Sequence, residues 1–258
     1  MLISAPDDRG RGIQGKAMSE LLIENRGAVR VLTMNRPDKR NALNHALSQA
    51  LLDGLQAAEA DESVRSIVLT GAGPAFCAGA DLSEFKDLTP DNAPLVERRA
   101  ELTMKLQGIF SQLSKPVVTA VNGAAMGGGA GLALAGDVAL MASTARLGYP
   151  EVKHGIVAAV VMANLVRNVG RKAAFELVAA GEPIDAARAL ALGLVNRVSA
   201  PDALMADALA FAEKFAAVAR PAMAATKQLF YRVLDLPFAQ ALEEGRDVNK
   251  RMRAFRKA

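Results

Sequence analysis

A chain of 258 residues with Lys+Arg 31 against Asp+Glu 27 has a formal net charge of +4 and a pI near 9.3. Its 51% hydrophobic and 22% charged residues exclude wholesale disorder, and the length suffices for one large core. A single cysteine, Cys77, and two histidines exclude an internal disulfide and leave too few soft ligands for a closed zinc site, so no metal is expected and a reducing, cytoplasmic compartment is.

In chain order, residues 1–17 mix Asp7, Asp8, Arg9, Arg11 and Lys16 with glycines and lack the apolar region of a secretory signal. They read as a flexible leader ahead of Met18. From Leu22 onward, short β-branched runs alternate with segments of helical period, which argues an α/β fold. Strands are predicted over 29–35, 66–70, 116–121, 138–142 and 195–198. Between them, Leu43, Leu47, Leu51 and Leu55 mark one helical face, and Leu95, Leu102, Leu106, Ile109 and Leu113 mark another. No stretch reaches the roughly 18 apolar residues of a membrane-spanning helix, so no membrane partner is expected.

Past Ser199 the strands stop. Stripes such as Leu204, Ala208, Phe211 and Phe215, then Phe238 and Leu242, predict a terminal helical layer. Residues 18–200 are thus expected to form the core, and 201–258 a helical region covering the same chain or a neighbouring subunit.

Two small-residue segments follow strands and precede helices. The first runs Gly71-Ala72-Gly73-Pro74-Ala75-Phe76-Cys77-Ala78-Gly79-Ala80-Asp81-Leu82, and the second runs from Asn122-Gly123 through Met126-Gly127-Gly128-Gly129-Ala130-Gly131. A phosphate-cradling P-loop requires Gly-Lys-Ser/Thr, and a dinucleotide fingerprint requires a third glycine where Leu132 stands. An oxyanion hole needs only two backbone amides from separate loops, which both segments could supply together. The plainer alternative is a pair of tight strand-to-helix turns.

Among single residues, Asp81 suits a helix N-cap and Cys77 suits packing, with no Gly-x-Ser-x-Gly elbow to support an acyl-enzyme. Glu151, in Leu147-Gly148-Tyr149-Pro150-Glu151-Val152-Lys153, precedes the apolar run from Gly155 to Met162. Against such a wall its pKa should rise toward general acid/base work; the alternative is a solvated glutamate paired with Lys153. His154 adds no further metal ligands.

In this order the segments resemble the crotonase, or enoyl-CoA hydratase/isomerase, family. Its carriers are Asn35-Arg36-Pro37-Asp38-Lys39-Arg40-Asn41-Ala42-Leu43, the two glycine segments, Pro150-Glu151, Gly181-Glu182-Pro183-Ile184-Asp185-Ala186 and Ala191-Leu192-Gly193-Leu194-Val195. The resemblance implies a crotonase-like spiral of ββα turns with a C-terminal helical trimerisation region, assembly as a homotrimer or hexamer, and acyl-CoA thioester substrates. Coenzyme A would then be part of the substrate, with no separate cofactor.

By the same resemblance the amides of Ala78 and Gly128 form the oxyanion hole and Glu151 is the catalytic acid/base. Substrate would be bound by Lys39, Arg40, Ala42, Ala80, Asp81, Leu82, Met126, Gly127, Gly131, Pro150 and Ala159, with the coenzyme A along Lys39, Arg40, Ala42, Ala80 and Leu82. Hydratases of the family commonly use two glutamates, and the position matching the second is Gly131. The leading expectation is an enoyl-CoA hydratase; the alternatives are a Δ3,Δ2-enoyl-CoA isomerase using Glu151 alone and a non-catalytic CoA-ester-binding scaffold. Nucleic acid is not an expected partner. The basic residues Lys250, Arg251, Arg253, Arg256 and Lys257 have a single aromatic, Phe255, among them, and with aromatics at 4% of the chain and no Trp they do not make a stacking platform.

Overall fold

The computed structural model describes residues 19–253; the leader at 1–17 and Arg256 and Lys257 lie outside them. Strand β1 (Leu21–Arg26) turns at Gly27, φ +58°, into antiparallel β2 (Val29–Met34). A 3-10 turn (Pro37–Lys39) leads to α1 (His45–Ala60), whose N-cap Asn44 accepts from the Leu47 amide at 2.8 Å. Leu47, Leu51 and Leu55 are fully buried on one face, as their spacing predicts. Leu43 precedes the cap and instead bridges Ala80 in a parallel β contact.

The chain then winds in turns that each give one strand to each of two sheets. The first turn supplies β3 (Ser66–Gly71) and β4 (Ala75–Cys77) and returns through α2 (Ala93–Gly108). The second supplies β5 (Val117–Val121) and β6 (Ala124–Met126) and returns through α3 (Gly128–Ala135). The third supplies β7 (Val138–Ala142) and β8 (Arg146–Gly148), followed by α4 (Ala159–Asn168) and α5 (Arg171–Ala180). Then come β9 (Ile184–Asp185), α6 (Ala186–Ala191) and β10 (Arg197–Ser199).

One sheet has the order β1-β2-β3-β5-β7-β10 and the other β4-β6-β8-β9. All pairings are parallel except β1 with β2 and β8 with β9. This is the expected ββα spiral.

Strands β3 and β5 are buried along their whole lengths, which a sheet covered on both faces requires. Their few hydroxyls are satisfied internally: Ser66 donates to Ala212 O at 2.8 Å, Thr70 to Ala120 O at 2.9 Å and Thr119 to Ala133 O at 2.8 Å. Five strands escape the sequence reading: β1, β4, β6, β8 and β9. The last four have only two or three residues each, too few to show alternation. The run predicted at 195–198 forms a strand only from Arg197, because Leu194 and Val195 are buried in the preceding turn. Ile109 and Leu113 lie beyond the end of α2, and Leu95 is only half-buried.

The terminal helices divide unevenly. In α7 (Leu204–Ala216), Leu204, Ala208 and Ala212 are fully buried, so this helix belongs to the core rather than to a separate layer beginning at 201. Helices α8 (Arg220–Val233) and α9 (Phe238–Met252) stand outside it and expose Phe230, Leu234, Phe238 and Leu242. An internal ion pair ties α8 to the spiral. Lys227 Nζ meets Asp137 Oδ2 at 2.7 Å and Lys115 O at 2.8 Å, while Tyr231 donates to Asp137 Oδ1 at 2.8 Å.

Candidate active site

The loop before α1 is locked against the loop after β3. Arg40 and Asn41 both take left-handed backbone, at φ +50° and +56°, which Asn tolerates through its short polar side chain. The Asn41 amide donates to Ala72 O at 2.9 Å and Ala75 O at 2.8 Å, and its oxygen accepts from Arg36 N at 2.9 Å. Arg36 bridges Glu20 Oε1 at 3.1 Å and Asp81 Oδ2 at 2.9 Å. Asp81 is an N-cap, as its position suggests: it starts the 3-10 turn Leu82–Asp87 by accepting from Ser83 N at 3.1 Å. The Ser83 hydroxyl and the Arg36 guanidinium hold its pKa below the usual carboxylate range, against some desolvation. Lys39 and Arg40 are exposed, and neither side chain forms an ion pair among the described residues.

The backbone donors are not both where the resemblance puts them. The Ala78 amide donates to Arg40 O at 2.9 Å and is therefore spent on holding the two loops together. At Gly79, φ is +91°, and this turns the chain. Gly79 O accepts from Leu43 N at 2.7 Å and Asp81 N donates to Leu43 O at 3.0 Å, leaving the Ala80 amide pointing away from that contact. A Cβ on Gly128 would lie 3.9 Å from Ala80 N, so the Ala80 amide nitrogen lies close to the start of α3.

Among the described residues, neither Ala80 N nor Gly128 N has an acceptor. The free donors are thus Ala80 and Gly128, and Ala78 is corrected to a structural role. Gly129 permits the approach, since a Cβ there would fall 2.2 Å from Cys77 O. The amides at the start of α3 are unpaired by the geometry of any helix end and favour negative charge.

Glu151 lies in the 3-10 turn Pro150–His154 after β8. Its Oε1 is 2.7 Å from where a Cβ on Gly127 would sit, so the carboxylate rests directly over the residue that caps the start of α3. Lys153 bonds Glu182 instead, which removes the surface-pair alternative. Glu151 is half-buried, and its Oε2 is fully buried without a hydrogen-bond partner among the described residues. Burial raises its pKa above the usual carboxylate range, opposed by its own backbone amide and by His154. Within the apolar run that follows, only Ala158 and Val161 are buried; Val157 is exposed.

At Gly131 there is no room for a carboxylate. A Cβ there would lie 2.6 Å from both Gln107 Oε1 and Val161 Cγ1. Gln107 reaches in from α2, is 5% exposed and donates to Gly128 O at 3.0 Å. None of the residues of α3 is acidic. Met126 sits on β6, Pro150 opens the Glu151 turn, Ala42 is half-buried behind the 3-10 turn, Leu82 is exposed and Ala159 is exposed at the start of α4. The sequence reading missed Gln107 and Tyr149. Gln107 gives no local signal, but Tyr149 is one of only two tyrosines and stands two residues from Glu151.

Cys77 is fully buried, and burial pushes its thiol up to about 12. Native protein is therefore expected to resist iodoacetamide at mildly alkaline pH, with alkylation appearing only as the chain unfolds; rapid labelling of the folded state, read by mass spectrometry, would contradict the packing role.

Crotonase-fold proteins share this two-sheet spiral. The crystal structure of an enoyl-CoA hydratase from Mycobacterium smegmatis matches it with a TM-score of 0.85 and 36% identity, covering 90% of both chains. The family model described as enoyl-CoA hydratase/isomerase matches residues 24–256. A 2,3-dehydroadipyl-CoA hydratase of Escherichia coli is 39% identical over 234 residues, 90% of this chain and 89% of that one. A short-chain-enoyl-CoA hydratase of Clostridium acetobutylicum is 36% identical over 227 residues, 87% and 86% of the two chains. The chain belongs to the enoyl-CoA hydratase/isomerase family and is an enzyme of that family.

Proposed function

We propose that this enzyme adds water to 2-enoyl-CoA thioesters through an enolate. The observation that carries the reading is the desolvated Glu151 carboxylate over Gly127, beside the unpaired amides of Ala80 and Gly128. The thioester oxygen accepts from the two amides. Glu151 takes a proton from water, the water oxygen bonds to C3, and the C2–C3 π electrons move onto the thioester oxygen. C2 then takes the proton from Glu151, and the enolate collapses to the 3-hydroxyacyl thioester. Either amide contributes about 3 kcal/mol to the transition state by analogy with other oxyanion holes.

Lys39 and Arg40 are the natural partners of coenzyme A phosphates, with Ala42, Asp81 and Leu82 alongside. Met126, Gly127, Gly131, Pro150 and Ala159 belong with the acyl end, and no further cofactor enters. The exposed apolar residues of α8 and α9 suit a trimer, alone or paired into a hexamer. The single buried thiol suits a cytoplasmic setting, and no described helix is long and apolar enough to cross a membrane.

The filled position at Gly131 favours a second reading, a Δ3,Δ2-enoyl-CoA isomerase in which Glu151 alone moves a proton between two carbons. Purified protein offered crotonyl-CoA and 3-hexenoyl-CoA is expected to hydrate the first. Conversion of 3-hexenoyl-CoA to its 2-enoyl isomer without any water addition would select the isomerase. Tight acyl-CoA binding with no turnover of either would leave only the scaffold.

A further inference from the structure

The two free amides depend on a residue that lies in neither glycine segment. The Ala80 N–H shares a planar trans peptide with the Gly79 carbonyl, and the two point in opposite directions. Leu43 N donates to Gly79 O at 2.7 Å, so this one bond sets the direction of the Ala80 N–H. Leu43 O accepts from Asp81 N at 3.0 Å, which completes the parallel bridge between Leu43 and Ala80. The side chain of the same leucine is buried, and its Cδ1 lies 3.2 Å from where a Cβ on Gly128 would sit. Leu43 thus holds the Ala80 peptide with its backbone and packs on Gly128 with its side chain.

Arg99, on α2, holds Leu43 in turn. Its Nη2 donates to Leu43 O at 2.5 Å, and its Nη1 meets Glu84 Oε2 at 2.7 Å. Glu84 lies in the 3-10 turn that follows Asp81, and its Oε1 accepts from His45 N at 3.0 Å. The Arg99 side chain is 13% exposed. Placing a permanent charge there costs desolvation, and a neutral side chain could join α2 to the loop without that cost. What the position uses is the planar fork, which spans a carbonyl and a carboxylate at once where the single ammonium of lysine does not. Arg36 donates to Ala42 O and pairs with Asp81, so the residue before Leu43 and the residue after Ala80 are held as well.

Resting on the hydratase reading, we propose that Arg99 is a positioning residue of this site, fixing Leu43 so that the Ala80 and Gly128 amides converge on one oxygen. It acts through Leu43 and makes no bond to the substrate. Its contribution falls on the transition state. A donor displaced by a fraction of an ångström still admits coenzyme A but no longer matches the oxygen on which charge develops.

The test separates enolate binding from coenzyme A binding. Acetoacetyl-CoA is acidic at C2 and forms an enolate whose ultraviolet band reports its bound state, whereas butanoyl-CoA presents the same coenzyme A with a neutral thioester. Arg99→Met is expected to weaken binding of the acetoacetyl-CoA enolate by about 10- to 100-fold, the cost of a small misplacement in an active site, and to lower kcat for crotonyl-CoA in the same proportion. Affinity for butanoyl-CoA and the KM of crotonyl-CoA should stay within about threefold. Equal weakening of the two ligands, or a kcat within about twofold of wild type, overturns the proposal. Arg99→Lys keeps the charge without the fork and is expected to lose the enolate selectively as well. Should the Met variant not fold, the Lys variant decides alone: a selective loss supports the positioning role, and an unselective or absent one overturns it. Wild-type protein that shows no enolate band with bound acetoacetyl-CoA, or does not hydrate crotonyl-CoA, sinks the hydratase reading and this inference with it. An active wild type that favours the enolate no more than its Arg99 variants do sinks this inference alone.

Discussion

Glu151→Gln is expected to lower hydration of crotonyl-CoA by about a hundred- to ten-thousand-fold, the usual worth of a positioned general acid/base. Glutamine keeps the size and can still hydrogen-bond, but it cannot take the water proton or return one to C2. In the wild type the carboxylate must be ionised to act, so kcat/KM should rise with pH through a limb lying above the ordinary carboxylate range, in the direction that burial moves Glu151. The Gln variant should lack that limb.

Folding responds in the opposite sense. A carboxylate whose folded pKa is raised has its stability contribution fully present below its unfolded pKa and loses it as pH rises through the folded value. The neutral Gln variant should therefore melt no lower than wild type near neutrality. Retention of wild-type rates by Glu151→Gln would remove Glu151 from the mechanism, and a large loss of melting temperature would mean that the activity assay had measured unfolding instead.

The largest stability effect is expected at Asp137, far from the chemistry. Its Oδ2 accepts from both Lys227 Nζ and Val117 N at 2.7 Å, and its Oδ1 accepts from Tyr231. Lys227 is 5% exposed, so Asp137→Ala leaves a buried ammonium without its counter-charge and strands two further donors. Breaking a buried pair from one side costs about 3–5 kcal/mol. In a chain of this length that is a fall in melting temperature of roughly 6–20 °C. Adding Lys227→Met to Asp137→Ala removes the stranded charge, and the double variant should regain a large part of the loss. Denaturation curves at one protein concentration decide it. A single variant within about 1 kcal/mol of wild type would show that the pair does not hold α8 to the spiral.

Much of the fold is legible in the order of the residues. Apolar β-branched runs separated by four-residue leucine spacing identify parallel strands covered by helices, and β3, β5 and β7 with α1 and α2 follow from that pattern. The two glycine segments and Glu151 are legible for a similar reason: tight approach of backbone to backbone demands small residues, and the demand is written locally. The three-residue strands β4, β6 and β8 are not, because a segment that short displays no period. Nor does α7 announce itself as core, since the stripe of Ala and Leu that packs on the sheet would serve equally against a neighbouring subunit.

The sequence by itself determined the spiral of alternating strands and helices, the two loops that approach each other, and the acid that stands among apolar neighbours, because each depends on residue size, polarity or spacing within a few positions. Which amide is left unpaired is decided by tertiary structure, since the Ala78 amide is engaged by Arg40 O, some forty residues away in the chain, and the Ala80 amide has no acceptor among the described residues. Tertiary structure also decided that Gly131 leaves no cavity, because Gln107 and Val161 arrive there from other helices, and that the Tyr149 hydroxyl is buried without a partner among the described residues. Hydrogen-bond partners and filled volumes are set by segments distant in the chain, and no local pattern encodes them.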